Sequence, residues 1–336
     1  DSLRESVHEV DQTGDGAKKI LIVTLSNIGD TVLTLPVFQS VIRAFPDAEI
    51  HGVVGESSKV VFQGDPRIKR ILVYDRRESW ERKLKLLMGI RKERYDLILD
   101  LRHSLIGLLG GARKRNSYFF RSHQKHKGLK HLASLKGLGI ESPASDSFLC
   151  VSQEKPVQDK DASIVVAAVG SKSDIKKWPA VYFAKLLDRL AVQNHCKIIL
   201  VGDENDSKDS QAVKSLMSAS AEDLSGQTNF QTLCSLIKKA DLVISNDSAP
   251  LHIADSLGVP VLALFGPTDP LKYGPRGERG LAVSRNIFCS PCERPQCHFN
   301  HECMKELGVD EVYSKAERLL KEETLPKKIK ILLIRL

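Results

Sequence analysis

The stretch DLVISNDSAPLHIADSLGVPVLALFGPTDP, residues 241–270, contains two short apolar runs, 242–245 and 259–265, that read as buried parallel strands. Between them a helical pattern opens on Asn246, Asp247 and Ser248, with Pro250 in its first turn. A strand that feeds a helix start in this way aims free backbone N–H groups, and the positive end of the helix dipole, at the carboxyl edge of the sheet. Diphosphates bind on that edge in open α/β sheets. The second run ends in Gly266-Pro267-Thr268-Asp269-Pro270, a tight polar turn on the same edge. Two neighbouring strand ends therefore face one crevice. The same letters also describe a capped helix and a turn in any α/β protein, so the anion-site reading needs support from elsewhere in the chain.

Two further stretches supply it. Residues 18–25, KKILIVTL, form a short apolar strand pattern, and Ser26-Asn27-Ile28-Gly29-Asp30 turns it into a helix expected over 31–45, with Pro46 closing it. Asp30 then sits at a strand's carboxyl end beside a helix N-terminus, where the dipole keeps a carboxylate ionised and able to take a proton from a hydroxyl. An ordinary first-turn acid has the same address. The third stretch is Gly170-Ser171-Lys172-Ser173-Asp174-Ile175-Lys176-Lys177-Trp178-Pro179, which follows a strand at 164–169 and precedes a helix with Pro179 at its start. Its two lysines would pass for solvated surface without the Trp-Pro frame.

KILIVTLSNIGDTVLTLP, then Lys176-Lys177-Trp178-Pro179, then SNDSAPLHIADSLGVPVLALFGPTDP, occur in the order found in glycosyltransferase family 9, and the chain resembles that family over nearly its whole length, roughly residues 18–320. The family contains the ADP-heptose:lipopolysaccharide heptosyltransferases. The resemblance implies the GT-B arrangement, two Rossmann-like, doubly wound parallel-sheet α/β domains facing a cleft. It implies single displacement with inversion, ADP-heptose as donor substrate, and no required cofactor or metal. Asp30 matches the family's general base, and Lys176 the active-site lysine near the donor phosphates. Gly29, Ser171, Asp247, Ser248, Ala249, His252, Gly266, Pro267 and Thr268 fall where the family holds the donor. Ala249 is a departure, because the motif often reads Asp-Ser-Gly, and its methyl would narrow the backbone's approach to a ligand. His252 could instead pack under the turn.

Composition fits. A chain of 336 residues is long for one core and suits two domains. At 42% apolar and 27% charged it is an ordinary globular sequence, and no apolar run is long enough to span a bilayer. Residues 1–17 are polar, lack the apolar core of a signal peptide and read as a disordered leader, which makes a cytoplasmic location the default. The alternation of strands and helices divides into two halves. The first, 18–155, has strand patterns at 20–25, 49–54, 71–74, 97–101 and 117–120 and is the acceptor side by resemblance. A polar stretch at 151–162 reads as a linker. The second half, 162–325, repeats the pattern with strands at 164–169 and 197–201 and helices at 180–191, 207–219 and 230–239, and binds the nucleotide-sugar by resemblance.

The formal charge of +8 is unevenly spread, with no acidic residue between positions 101 and 140. That stretch attracts phosphates and anionic lipid head groups, and Arg113, Arg115 and Arg121 are its candidate acceptor-binding residues. A solvated loop face is the alternative. Nucleic acid is set aside, since no nucleic-acid motif accompanies the charge. An anionic glycolipid acceptor fits better, with the protein peripheral to the inner membrane.

Cys289, Cys292, Cys297 and Cys303 share one short loop, with a C-x2-C start that can form half of a zinc site, but the later spacings are irregular and free thiols are the competing reading. Residues 326–336 repeat the first-strand pattern. They read either as a final strand or as the start of a second, tandem copy. The sequence thus points to an inverting glycosyltransferase moving heptose to the inner core of lipopolysaccharide. Two other readings stay open: another activated sugar for a cell-envelope acceptor, or a non-catalytic copy within a tandem protein.

Overall fold

The computed structural model describes residues 17–116, 122–141, 149 and 162–321. The leader up to residue 16, the strand expected at 117–120, Arg121, nearly all of the expected linker and the pattern at 326–336 lie outside the described residues.

The chain builds two all-parallel sheets. The first takes β1 (Lys19–Val23), β2 (Glu49–Val54), β3 (Arg70–Val73), β4 (Leu97–Asp100) and β5 (Lys114–Arg115) in the order β3-β2-β1-β4-β5. The second takes β6 (Ile164–Ala168), β7 (Lys197–Leu200), β8 (Ala221–Asp223), β9 (Leu242–Asn246), β10 (Val261–Phe265) and β11 (Gly280–Ser284) in the order β11-β10-β9-β6-β7-β8. Each half winds outward from its first strand in one direction and then returns to wind in the other. The reversal opens a crevice between β1 and β4 in one sheet and between β6 and β9 in the other, and both lie at carboxyl ends.

Both faces of each sheet are covered, which is why the strands read as unbroken apolar runs. Along β1, Ile20 and Ile22 enter one core while Leu21 and Val23 enter another on the opposite face. Along β10, Val261, Ala263 and Phe265 alternate with Leu262 and Leu264 in the same way. Burying each such Val, Leu, Ile or Phe side chain fully is worth about 1.5–3 kcal/mol.

The single helix expected over 31–45 is two helices, α1 (Ile28–Val32) and α2 (Leu35–Ala44). Thr34 ends the first turn by folding back: its hydroxyl donates to Thr31 O at 2.7 Å and pairs with Thr24 Oγ1 at 2.7 Å, while Pro36 starts α2. Asp30 therefore lies within α1 rather than ahead of it. The short β5 precedes the stretch 117–120, which lies outside the described residues.

The halves are docked. α1 packs on α9 (Ala249–Ser256), and one apolar cluster runs from Phe38 and Leu35 in the first half to Leu251 and Ile253 in the second. Gln231 Nε2 donates to Val60 O and Gln63 O, both at 3.3 Å. His126 Nε2 meets Gly274 O at 3.0 Å.

Candidate active site

At the second sheet's crevice the loops after β6, β9 and β10 converge. Asn246, fully buried at the end of β9, organises them: its Oδ1 accepts from Trp178 N at 3.1 Å, and its Nδ2 donates to Val169 O at 2.7 Å and Gly170 O at 3.5 Å. Trp178 is a packing residue, edge-on to Phe183 at 5.0 Å, with its indole N–H donating to Leu307 O at 2.9 Å. This frame sets the turn Asp174–Lys176 and hence the direction of Lys176. Lys176 Nζ reaches Asp247 Oδ2 at 2.7 Å, and the Thr268 hydroxyl donates to the same oxygen at 2.8 Å. The Asp247 side chain is 6% exposed and that of Lys176 28%, so the carboxylate is an interior anchor and the ammonium faces the crevice. Lys177 points elsewhere, pairing with Asp174 at 2.7 Å and Asp209 at 2.8 Å.

Ser248 caps α9 in an extended conformation without a side-chain cap bond, and its hydroxyl lies 3.0 Å from that of Ser245. With Pro250 in the first turn, the remaining N–H groups of that turn stay available to a ligand. Ser171 is buried in the loop after β6. Gly266 and Pro267 are braced from behind: Ser290 Oγ donates to Gly266 O at 2.6 Å and Glu293 N to Pro267 O at 2.8 Å. A Cβ on Gly266 would collide with Met304, so only glycine lets the turn lie this close to α11 (Glu302–Lys305).

Across the crevice stands α1. A Cβ on Gly29 would come within 2.9 Å of His252 Cδ2 and 3.5 Å of Ala249 Cα. Gly29 and His252 are thus the contact that seats α1 on the start of α9. Burial holds the His252 imidazole below its ordinary range, against the opposing pull of the Asp247, Asp255 and Asp30 carboxylates. The next residue, Asp30, is partly exposed, and its Oδ2 accepts from Asn27 Nδ2 at 3.0 Å. Asn27 Oδ1 in turn accepts from Lys172 Nζ at 3.3 Å, a link from the loop after β6 to the carboxylate.

Asp30 also lines a cavity of about 620 Å³ at the first sheet's crevice, together with Asp100, Arg102, His103, Lys127, Lys130, His131 and, from the other half, Tyr273. Asp100 shapes its floor. Oδ1 accepts from Arg102 N at 3.0 Å, while Oδ2 accepts from Ser104 N and Ser104 Oγ at 2.8 Å and Gly107 N at 3.1 Å. Asn116 brackets the Asp100 backbone, accepting from its N–H at 2.8 Å and donating to its carbonyl at 3.1 Å. Burial depresses the His126 and His131 imidazoles to about 4, leaving both neutral near pH 7. Neutral His126 then donates from Nε2 to Gly274 O and accepts at Nδ1 from Gly128 N at 3.1 Å.

Arg113 and Arg115 do not line this cavity. Arg113 N donates to Tyr95 O ahead of β5, and its guanidinium sits 3.7 Å from Asp96. Asp96 also accepts from Lys18 N and Lys19 N, which marks the amino edge of the sheet, opposite the crevice. Arg115 is exposed and donates to Leu108 O at 3.1 Å. A charge run reveals sign but not which sheet edge it occupies. The cations that do line the cavity, Arg102, Lys127 and Lys130, come from the same run, and Asp100, Asn116 and Tyr273 carried no local signal.

Cys289, Cys292, Cys297 and Cys303 line a cavity of about 330 Å³ behind Pro267 and are free thiols. Among the described residues no group of three or more His, Cys, Asp or Glu side chains stands in an arrangement that could hold a metal ion. Burial pushes the Cys303 thiol up to about 11, which keeps it protonated.

The geometry sets a carboxylate on one wall and an anchored ammonium beside an open helix N-terminus on the other. This pairing suits attack by a hydroxyl with departure of an anion. The profile of glycosyltransferase family 9 (heptosyltransferase) matches residues 115–302. The chain is 27% identical to lipooligosaccharide heptosyltransferase 2 of Campylobacter jejuni over 324 residues, covering 91% of this chain and 100% of that protein. It is 24% identical to lipopolysaccharide heptosyltransferase 3 of Escherichia coli over 331 residues, covering 88% and 96%. Among solved structures, the glycosyl transferase family 9 protein of Veillonella parvula superimposes with a TM-score of 0.74 at 22% identity, covering 91% of this chain and 97% of that one. Escherichia coli ADP-heptose lps heptosyltransferase II gives 0.72 at 17% identity, covering 90% and 98%. These two likenesses concern the fold.

Proposed function

Because the chain belongs to glycosyltransferase family 9, and is thus a glycosyltransferase, we propose that it transfers heptose from ADP-heptose to the inner core of a lipopolysaccharide with inversion at the anomeric carbon. The observation that carries this reading is the meeting of Lys176, Asp247 and Thr268 at one crevice, with Asp30 on the facing wall.

On this reading the Asp30 carboxylate accepts the proton of an acceptor hydroxyl. The hydroxyl oxygen bonds to the anomeric carbon as the bond from that carbon to the diphosphate oxygen breaks on the opposite face, and ADP departs. Asn27 orients the carboxylate. Lys176 and the open N–H groups of α9 offset the charge that develops on the diphosphate, in a setting where fixed donors need no reorganisation. Asp247 holds Lys176 in place, and Ser171, Ser248, Gly266, Pro267 and Thr268 line the donor. Gly29 and His252 act through packing, with Ala249 at the close approach to the donor. Arg102, Lys127 and Lys130 take the anionic groups of the acceptor in place of Arg113 and Arg115.

A glycolipid acceptor places the work at the cytoplasmic surface of the inner membrane, with the protein peripheral to it. Among the described residues no helix is long and apolar enough to cross a membrane. The test is ADP release from ADP-heptose with a truncated Kdo-lipid A acceptor, comparing wild type with Asp30→Ala. Acceptor-dependent release that disappears in the variant supports both reaction and base. Absence of donor binding and of turnover in the wild type overturns the heptose assignment.

A further inference from the structure

Beside the acceptor cavity the surface changes character. Helix α3 (Trp80–Lys92) spans 13 residues, of which only Ile90 is buried, with Leu86 packed partly against the same core. Trp80, Leu84 and Met88 follow at intervals of four and so share one face, and they are 71%, 44% and 49% exposed. Leu105, Leu108 and Leu109 of the neighbouring α4 (Leu105–Leu109) are exposed as well. Six of the twelve large apolar side chains exposed among the described residues thus come from two adjacent helices. The helices are tied together, with Arg91 Nη1 donating to Leu109 O at 3.2 Å. A contiguous apolar patch of this kind marks an interaction site.

We propose that this face of α3 and α4 docks on the surface of an anionic phospholipid bilayer. Three observations select a bilayer over a protein partner. Residues 75–94 carry eight Lys or Arg against four Asp or Glu, and Arg76, Lys83 and Arg102 line the same groove as the exposed apolar side chains, a mixture that suits a charged lipid interface. Trp80, an amphipathic ring suited to the head-group level, is the most exposed member of the stripe. The third is continuity: Trp80, Leu84, Leu105 and Leu109 line a groove of about 810 Å³ that also includes Asp30, Arg102 and His103, three residues of the acceptor cavity. Docking there sets the mouth of the acceptor cavity against the lipid surface. The proposal rests on the functional reading in one respect, that a lipid-linked acceptor gives the docking a purpose. α3 is already formed without it, capped by Ser79 Oγ accepting from Arg82 N at 3.4 Å.

The experiment is flotation of the full chain with vesicles of phosphatidylethanolamine and phosphatidylglycerol, read together with tryptophan emission. The chain has two tryptophans, and Trp178 is buried, so a blue shift on adding vesicles reports Trp80. Wild type is expected to float and shift, less so as salt rises, and Leu84→Glu with Met88→Glu is expected to lower partitioning about tenfold or more while the fold is kept. Wild type that stays unbound, a double variant that floats equally well, or a variant whose only change is loss of self-association in the absence of vesicles overturns the proposal. Flotation without any ADP release sinks the functional reading alone. Turnover on a delipidated acceptor without flotation sinks this proposal alone.

Discussion

At the residue scale the proposed chemistry rests on Asp30 and Lys176. Asp30→Asn is expected to lower kcat by about 10²–10⁴ while leaving donor affinity near wild type, since it removes the proton acceptor and little else. Single-turnover rates and donor titration separate the two. Lys176→Ala is expected to lower kcat by about 10²–10³ and also to cost about 1–3 kcal/mol of stability, because it strands Asp247, a largely buried carboxylate, with Thr268 alone. Urea unfolding alongside kinetics checks both halves. Gly29→Ala reverses the usual helix arithmetic. Alanine in a helix gains up to about 1 kcal/mol over glycine. Here its methyl meets the His252 ring at 2.9 Å, and overpacking of about 1–3 kcal/mol decides the sign, so the variant should be less stable and bind donor less well.

At the element scale, the loop after β6 is held by one side chain. Asn246 satisfies a backbone donor and two backbone acceptors from residues nearly seventy or more positions away. Asn246→Leu is close in size but leaves Trp178 N and Val169 O without partners, each costing about 1–3 kcal/mol. It should lower the unfolding midpoint and, by freeing the turn Asp174–Lys176, reduce kcat more than donor affinity. Helix starts and strand runs of the second half were legible in the sequence because capping and periodicity are written by neighbours in the chain. The break between α1 and α2 was not. It depends on Thr34 meeting Thr24 across the loop, and no local pattern announces that contact.

At the scale of the whole molecule, His126 joins the halves through Gly274. Its imidazole titrates near 4 when folded against about 6.5 when unfolded, so the unfolded chain takes up the proton first. The stabilisation is complete above about pH 6.5 and is lost as pH falls toward 4, at up to about 1.4 kcal/mol per pH unit. His131 behaves alike. Thermal unfolding between pH 7 and 5 should therefore show a falling midpoint, with a shallower fall in His126→Gln. An equal slope in both proteins would remove His126 from that account.

The sequence by itself determined the two parallel α/β halves, the strand-to-helix turns and the three stretches that supply Asp30, Lys176 and Asp247. Each is encoded by apolar period, capping residues and proline position within a few residues of itself. Only the tertiary structure decided that Lys176 bonds Asp247 with Thr268, that Gly29 is a packing contact against His252, and that Arg102, Lys127 and Lys130 rather than Arg113 and Arg115 line the cavity at the first sheet's crevice. Charge along a chain records sign alone. Which edge of a sheet a side chain occupies follows from where its strand begins, and β5 starts beside Asp96 at the amino edge, away from the crevice. The same holds for the apolar face of α3: its period is local, but its exposure follows from Ile90 and Leu86 sufficing to seat the helix, which leaves Trp80, Leu84 and Met88 turned to the outside.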